Sequence, residues 1–483
     1  MFENFDGSSR IPRPIQSEAL AWLEAKREKK RKALVGPVGM GKSAVMRAYQ
    51  KEFGGVIVPP VNVLADQLER DYPEVNLLKG LSNYHCEEWG EDCETVRSVN
   101  DNKSCGDCRY SKCRQKVIDA EPSIVNPLAL FYSKQAPHKP YPTVLIDECH
   151  RLFSLLELAC SDEFSHSRYK FPEKMDSVKT VADWLTKVAI QYADLAKTYR
   201  AQDNLKKAMQ AAKRCTSISV LRDRMLTNPA NFVFWYEERQ LKNGLETYLK
   251  ISPVEVPRGI VNEVLGPYED LIITSATLPQ RWARKIFGTD DFEYKELDSP
   301  IPVENRPVYV KPAGLTAKSD PSEVAAWIKQ QMSQHPGNTI VHVTYSMAKA
   351  LTRFFPHALT HTAETKDAVM ARFKAEGGMW LAPGCAEGID LPGKQGETNL
   401  IPILPFANIG APIVAARMAL PMGRADYELD TLVNTIQAAG RTTRGADDRS
   451  TTVIGDARIM RLIQTHKTQI PRSFVEAVKY VTR

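Results

Sequence analysis

Apolar and polar positions alternate along this chain at more than one period, and each change of period marks an element. Residues 33–35 (ALV) and Thr143–Ile146 (TVLI) are short unbroken apolar runs bounded by polar residues, the pattern of strands buried on both faces of a parallel sheet. Segments 338–346 (NTIVHVTYS) and 451–458 (TTVIGDAR) read the same way. Between residues 178 and 195 the period lengthens. Val178, Val181, Leu185, Val188, Tyr192 and Leu195 recur at spacings of three and four, which predicts a helix with one apolar stripe. A second helix is expected over about 203–225, carrying Lys206, Lys207, Lys213, Arg214, Arg222 and Arg224. Residues 231–265 alternate well enough to form a hairpin, with Phe232, Phe234, Trp235 and Tyr236 as core aromatics. Buried strands interleaved with helices predict an α/β protein.

Composition adds bounds. The chain has 483 residues, 43% hydrophobic and 25% charged, which suits two to four globular domains. No apolar stretch approaches the ~18 residues of a membrane span. The start, MFENFDGSSRIPRP, has no basic segment leading into an apolar run, so a cytoplasmic chain is expected. A net charge of +6 permits a polyanionic partner without demanding one. The basic run 25–32 (AKREKKRK) reads as a solvated helix end leading into the strand at 33–35. There is no internal repeat and no low-complexity tail.

Two segments carry recognisable chemistry. Gly36-Pro37-Val38-Gly39-Met40-Gly41-Lys42-Ser43 fits G-x-x-x-x-G-K-[ST] between an expected strand and an expected helix. Glycines let backbone N–H groups wrap phosphates, and the helix N-terminus favours the anion. Lys42 would reach the β- and γ-phosphates of ATP, and Ser43 would ligate Mg²⁺. In TVLIDECHRLF the buried run ends at Asp147, placed to hold Mg²⁺, and Glu148, placed to activate a water. The other segment is 86–113, which holds five of the nine cysteines in a polar, Gly- and Asp-containing stretch. Disulfides are rare in a reducing cytosol and nine thiols cannot all pair, so metal or cluster ligation is expected. From spacing alone, zinc and iron–sulfur are both allowed.

Asp147-Glu148-Cys149-His150 resembles the DEAH-box signature of superfamily 2 helicases, and further motifs follow in order. Residues 273–278 (ITSATL) resemble motif III. Residues 381–393 (LAPGCAEGIDLPG) resemble motif V of the XPD/DinG branch, and 437–449 (QAAGRTTRGADDR) resemble motif VI. Residues 11–20 (IPRPIQSEAL) resemble the adenine-side Q motif through Gln16. Residues 56–68 match the motif Ia region, 122–132 the return into the first motor domain, and 299–307 the link into the second. The resemblance spans nearly the whole chain. It implies an α/β fold of two RecA-like P-loop motor domains, residues 1–298 and 299–483. A small iron–sulfur insertion (84–115) and a reduced helical Arch-like insertion (155–226) would interrupt the first, and the hairpin at 231–265 would lie back in that first motor domain.

It further implies ATP in the cleft between the motor domains. Gln16, Gly36, Gly39, Gly41, Lys42, Ser43, Asp147, Glu387, Gly388 and Asp390 would hold the nucleotide and its Mg²⁺. Lys42, Asp147, Glu148, Gln437, Arg441 and Arg444 would be catalytic, the two arginines stabilising charge at the γ-phosphate. Cys149 stands where the family commonly has Ala and is expected to be a buried packing variant. The family's four-cysteine [4Fe-4S] insertion lies between motifs Ia and II, where 86–113 lies here. Cys86, Cys93, Cys105 and Cys108 are the expected ligands, with Cys113 in place of Cys93 as the alternative set and Zn²⁺ as the alternative metal.

The expected activity is ATP-dependent unwinding of forked DNA by a monomer moving 5′→3′ on single-stranded DNA, with replication or repair proteins as partners. The compact Arch suits a machine carried by a virus or mobile element. Two other readings stand beside it: a protein-displacing translocase with weak unwinding, and a nucleic-acid-binding scaffold with a silent ATP site.

Overall fold

The structure is a computed structural model describing residues 11–59, 62–87, 91–93, 108–127, 141–172, 175–241, 244–384, 389, 391, 393–443, 445 and 447–481. The chain divides into two compact units, one of residues 1–49, 272–407 and 422–483, the other of 50–271 and 408–421.

In the first unit the apolar run at 33–35 sits in strand Arg31–Val35, which pairs in parallel with Glu293–Glu296. Lys32, the last of the basic run, is fully buried in that strand and its Nζ donates to Lys29 O. Only the earlier residues behave as a solvated helix end, Lys26 reaching Glu293 at 3.2 Å and Lys29 reaching Asp291 at 3.8 Å. The same unit holds a six-stranded sheet in the order Met379–Pro383, Thr339–Val343, Thr398–Ile401, Thr451–Ile454, Val308–Val310, Val478–Tyr480. Every pairing in it is parallel. Parallel neighbours need crossovers, and helices such as Pro321–Gln334, Lys366–Glu376, Gly423–Ala439 and Arg458–His466 lie between successive strands in the sequence. Its core falls into clusters. Trp327, Ile328, Val341, Leu381, Leu400 and Val453 form one, and Ile401, Leu429, Leu432, Ile454 and Leu462 another.

In the second unit Thr143–Ile146, Val56–Val58, Ser123–Val125 and Asn76–Leu78 pair in parallel in that order. The two expected helices are Val178–Ala201 and Leu205–Thr227. Ser177 caps the first, its Oγ accepting from Thr180 N at 3.2 Å. The hairpin forms as Phe232–Leu241 against Gly244–Pro253, but not in the parallel sheet that holds Thr143–Ile146. It joins Asp162–Ser165 in a separate antiparallel sheet of three strands. The reason is the helices' own apolar stripe. Val181, Leu185 and Val188 need a face to pack on, and Phe164, Phe232, Leu249 and Ile251 supply it. The insertion is therefore an α/β module that includes the hairpin, rather than a purely helical one ending near residue 226. Among the described residues, no helix is long and apolar enough to cross a membrane.

Candidate active site

The phosphate loop joins strand Arg31–Val35 to helix Lys42–Phe53. Gly39 and Gly41 have φ of 80° and 81°, a region that side chains disfavour. A Cβ on Gly41 would come within 2.5 Å of Gln16 Nε2 and 2.8 Å of Arg13 Nη2, so Gln16 lies directly against the loop. Gln16 is itself held in place, its Oε1 accepting from Arg13 N at 2.9 Å at the start of helix Pro14–Ala25. At the loop's entrance Gly36 N donates to Ser275 O, 3.1 Å, which ties it to the end of strand Asp270–Ser275.

Motif III begins at that strand end. Thr277 N donates to Ser275 Oγ at 3.1 Å. Thr277 Oγ1 accepts from Gln437 Nε2 at 2.9 Å, and both side chains are buried. Gln437 Oε1 accepts from Arg441 Nη2 at 3.5 Å. Arg441 sits in the single turn Gly440–Thr442 that follows helix Gly423–Ala439. A Cβ on Gly440 would lie 3.1 Å from Val38 Cγ2, so this turn rests on the phosphate loop itself. The Q-motif glutamine, the loop, motif III and motif VI, which are more than 400 residues apart at the extremes, thus meet in one compact unit. Thr277 lies within motif III with no role expected from the sequence, where it is one of three hydroxyl residues, with Thr274 and Ser275, at and just past the end of strand Asp270–Ser275.

Asp147 and Glu148 belong to the second unit. Strand Thr143–Ile146 is buried throughout and delivers Asp147, itself 4% exposed, with its N–H donating to Val58 O at 3.1 Å. Glu148 takes φ 41° and ψ 46°, a left-handed conformation unusual for a non-glycine residue. The turn is held by Glu148 N donating to Asp147 Oδ1 at 2.8 Å, and His150 Nδ1 lies 3.4 Å from Glu148 Oε2. Strain of this kind gathers at functional sites. Cys149 is fully buried, in keeping with the packing role expected for it.

The cysteine segment is described in part. Cys86 lies in the short pair His85–Cys86 and Glu91–Asp92. Cys93 N donates to Tyr84 O at 2.8 Å, and Cys86 and Cys93 are each 3% exposed. Cys108 caps helix Arg109–Ile118, its Sγ accepting from Ser111 N at 3.4 Å. Burial works to raise the Cys108 pKa, but hydrogen bonds from Ser111 and from the Cys93 side chain outweigh it and hold the thiol below its ordinary value. Cys113 points elsewhere. Its thiol meets the Tyr84 hydroxyl, whose pKa rises through burial foremost and Cys113 in addition. Tyr84 is fixed by donating to Leu77 O at 3.1 Å and by its edge-on packing with Tyr110. Among the described residues no three His, Cys, Asp or Glu side chains come close enough to hold a metal ion. Soft sulfur donors nonetheless suit iron or zinc, and Cys108, its pKa lowered, lies within hydrogen-bond reach of the Cys93 side chain. Cys105, Arg444, Glu387, Gly388 and Asp390 lie outside the described residues.

Of the basic residues on helix Leu205–Thr227, Arg214 turns inward, to Asp162 at 2.6 Å and Tyr169, and Arg224 to Ala159 O. Lys206, Lys207 and Lys213 are exposed.

Residues 328–477 match the family model described as "Helicase C-terminal domain". No curated protein matches the chain by sequence. Three solved structures share its fold over almost its whole length. A structure named XPD_Helicase is 16% identical, with a TM-score of 0.63, covering 98% of this chain and 100% of its own. One named XPD_APO is 14% identical, with a TM-score of 0.61 and coverages of 97% and 100%. Xpd4 of S. tokodaii is 12% identical, with a TM-score of 0.58 and the same coverages. Residues 328–477 thus carry a helicase C-terminal domain, and the fold along the chain is the one seen in the XPD structures.

Proposed function

We propose that this protein is an ATP-driven DNA helicase that moves along one strand and separates the duplex ahead of it. The observation that carries the reading is the joint made by Gln437, whose amide bonds motif III at Thr277 while the following turn rests on the phosphate loop. Such a joint makes the occupancy of the loop felt by both motifs. Backbone N–H groups of 36–43 bind the ATP phosphates, and Lys42 draws charge from the β- and γ-oxygens. Ser43 and Asp147 would hold Mg²⁺, which supplies neutralisation of phosphate charge. Glu148 accepts a proton from water as its oxygen bonds to the γ-phosphorus. The bond to the β–γ bridging oxygen breaks, and ADP leaves with the electron pair. Arg441 and Arg444 stabilise charge on the γ-phosphoryl group during that step. The motor domains in this reading are 1–298 and 299–483.

Cys86, Cys93, Cys105 and Cys108 would hold a [4Fe-4S] cluster, which supplies a rigid cross-link to a small domain otherwise short of core. The adjacency of the Cys93 and Cys108 thiols supports this set over one containing Cys113.

Lys42→Ala tests the motor. It is expected to cut DNA-stimulated ATP hydrolysis by at least about a hundredfold and abolish unwinding while binding of single-stranded DNA survives. Unwinding at the wild-type rate overturns the assignment. Iron, acid-labile sulfide and zinc content of anaerobically prepared protein tests the ligands. Cys93→Ser is expected to lose the cluster and Cys113→Ser to keep it, and the reverse pattern replaces Cys93 with Cys113.

A further inference from the structure

Behind the motif VI turn lies a group of buried polar side chains for which ATP hydrolysis, as described, has no use. Strands Thr339–Val343, Thr398–Ile401 and Thr451–Ile454 run side by side, with Asn399 level with Ile340 on one neighbour and Thr452 on the other. Asn399 is fully buried in strand Thr398–Ile401. Its Nδ2 donates to Ala438 O at 2.9 Å and reaches Thr452 Oγ1 at 3.3 Å. Ala438 belongs to the last turn of helix Gly423–Ala439, where carbonyls have no partner within the helix. Asn399 therefore fastens the end of that helix to the sheet.

The next residues are the turn carrying Arg441. Its far side is fastened too, because Leu391 N donates to Arg441 O at 3.1 Å. Thr442 is fully buried, and a Cβ on Gly396 would come within 2.6 Å of its methyl group. The turn is thus held from the sheet by Asn399 before Arg441 and by Leu391 at it. His342 stands beside Asn399 within electrostatic reach of Arg441. Burial foremost, with the Arg441 charge adding to it, pushes its pKa down to about 4 against an opposing hydrogen bond with the Asn399 side chain, so it meets the guanidinium as a neutral ring. Thr442 Oγ1 is buried with no hydrogen-bond partner among the described residues, and the buried Asn399 and His342 side chains interact with each other. Buried polar atoms of that kind are costly to keep in a core and call for a reason. A leucine at 399 would fill the same space without that cost but would lose the hydrogen bond from the sheet to Ala438 O.

We propose that Asn399 is a positioning residue for Arg441, fixing the helix end from which the guanidinium is aimed at the γ-phosphate. The inference rests on Arg441 being the phosphate-facing arginine.

A double-mutant cycle tests it, with ATP hydrolysis stimulated by a poly-dT oligonucleotide as the readout. Asn399→Ala is expected to lower kcat about tenfold, the scale typical of groups that orient a catalytic one. The KM for ATP should stay within about twofold, because a lost transition-state contact leaves ground-state binding in place. In the Arg441→Ala background the same change should cost nothing further, since no guanidinium remains to be positioned. Asn399→Ala with full kcat, or losses that multiply in the double variant, overturns the proposal. If Asn399→Ala does not fold, Asn399→Ser, which keeps a short donor, is carried through the same cycle under the same criteria. Arg441→Ala hydrolysing at the wild-type rate overturns the arginine's role itself. That outcome is distinct from a normal Arg441 effect accompanied by no Asn399 effect, which removes only the positioning link.

Discussion

Two polar regions of this molecule are built on opposite principles. On the three-stranded sheet of the insertion, charge is closed on itself. Arg239 donates to both carboxylate oxygens of Glu163, at 2.9 and 2.6 Å, and Lys250 meets Glu237 at 2.7 Å. Hydrogen bonds from Lys250 and Arg239 hold the Glu237 carboxyl below its ordinary pKa. These groups are about one-third exposed, so each pair contributes under about 1 kcal/mol. Behind motif VI the reverse holds. Thr442 keeps a buried hydroxyl with no hydrogen-bond partner among the described residues, beside the buried polar pair Asn399 and His342. A surface whose charges are mutually satisfied can only stabilise. A core that tolerates unsatisfied dipoles beside an arginine departs from the packing optimum, and such departures concentrate where a protein acts.

The contrast can be broken at either end. The largest effect belongs to the insertion's core. Trp184 packs edge-on against Phe164 at 5.2 Å and Phe171 at 5.6 Å, only 6% exposed. Trp184→Ala is expected to destabilise the module by about 3–5 kcal/mol, read as earlier urea unfolding and faster proteolysis within 162–253. A loss below about 1 kcal/mol would show that the module has no core of its own.

The smaller effect is a pH dependence located behind motif VI. His342 has a folded pKa of about 4 against an ordinary 6.5, so the unfolded chain binds a proton that the folded one refuses. Its contribution to stability is therefore complete above pH 6.5 and is lost as pH falls toward 4. One pKa unit is worth about 1.4 kcal/mol, which bounds the loss at about 3–4 kcal/mol. Burial also lowers His335 and His361, so the wild type alone does not isolate the effect. Urea unfolding at pH 7 and pH 5 should show a shallower decline for His342→Gln than for the wild type. Equal slopes would mean that His342 is not held neutral.

Much of the motor was legible in the sequence because its signals are local. The run at 33–35, the glycines that follow and the lysine at 42 describe strand, loop and helix start with no distant information. Thr143–Ile146 and Asp147 do the same, and both strands form where expected. The hairpin at 231–265 was legible as a hairpin and misplaced as a neighbour. Alternation says that one face is buried but not against what. That face belongs to the stripe of Val181, Leu185 and Val188. The cysteine count pointed to a ligand site, yet spacing treated Cys93 and Cys113 alike. They separate only in space, one thiol beside Cys108 and the other beside Tyr84.

By itself the sequence determined which residues are candidates for an ATP site, because phosphate cradles, acidic strand ends and arginine turns are built from consecutive residues whose backbone freedom and charge are intrinsic. Only the tertiary structure decided who meets whom: Gln16 with Gly41, Gln437 with Thr277, Val38 with Gly440, and Asn399 with Ala438. Those pairings depend on parallel strands whose order is set by crossovers, and a parallel sheet brings together residues that no periodicity along the chain connects.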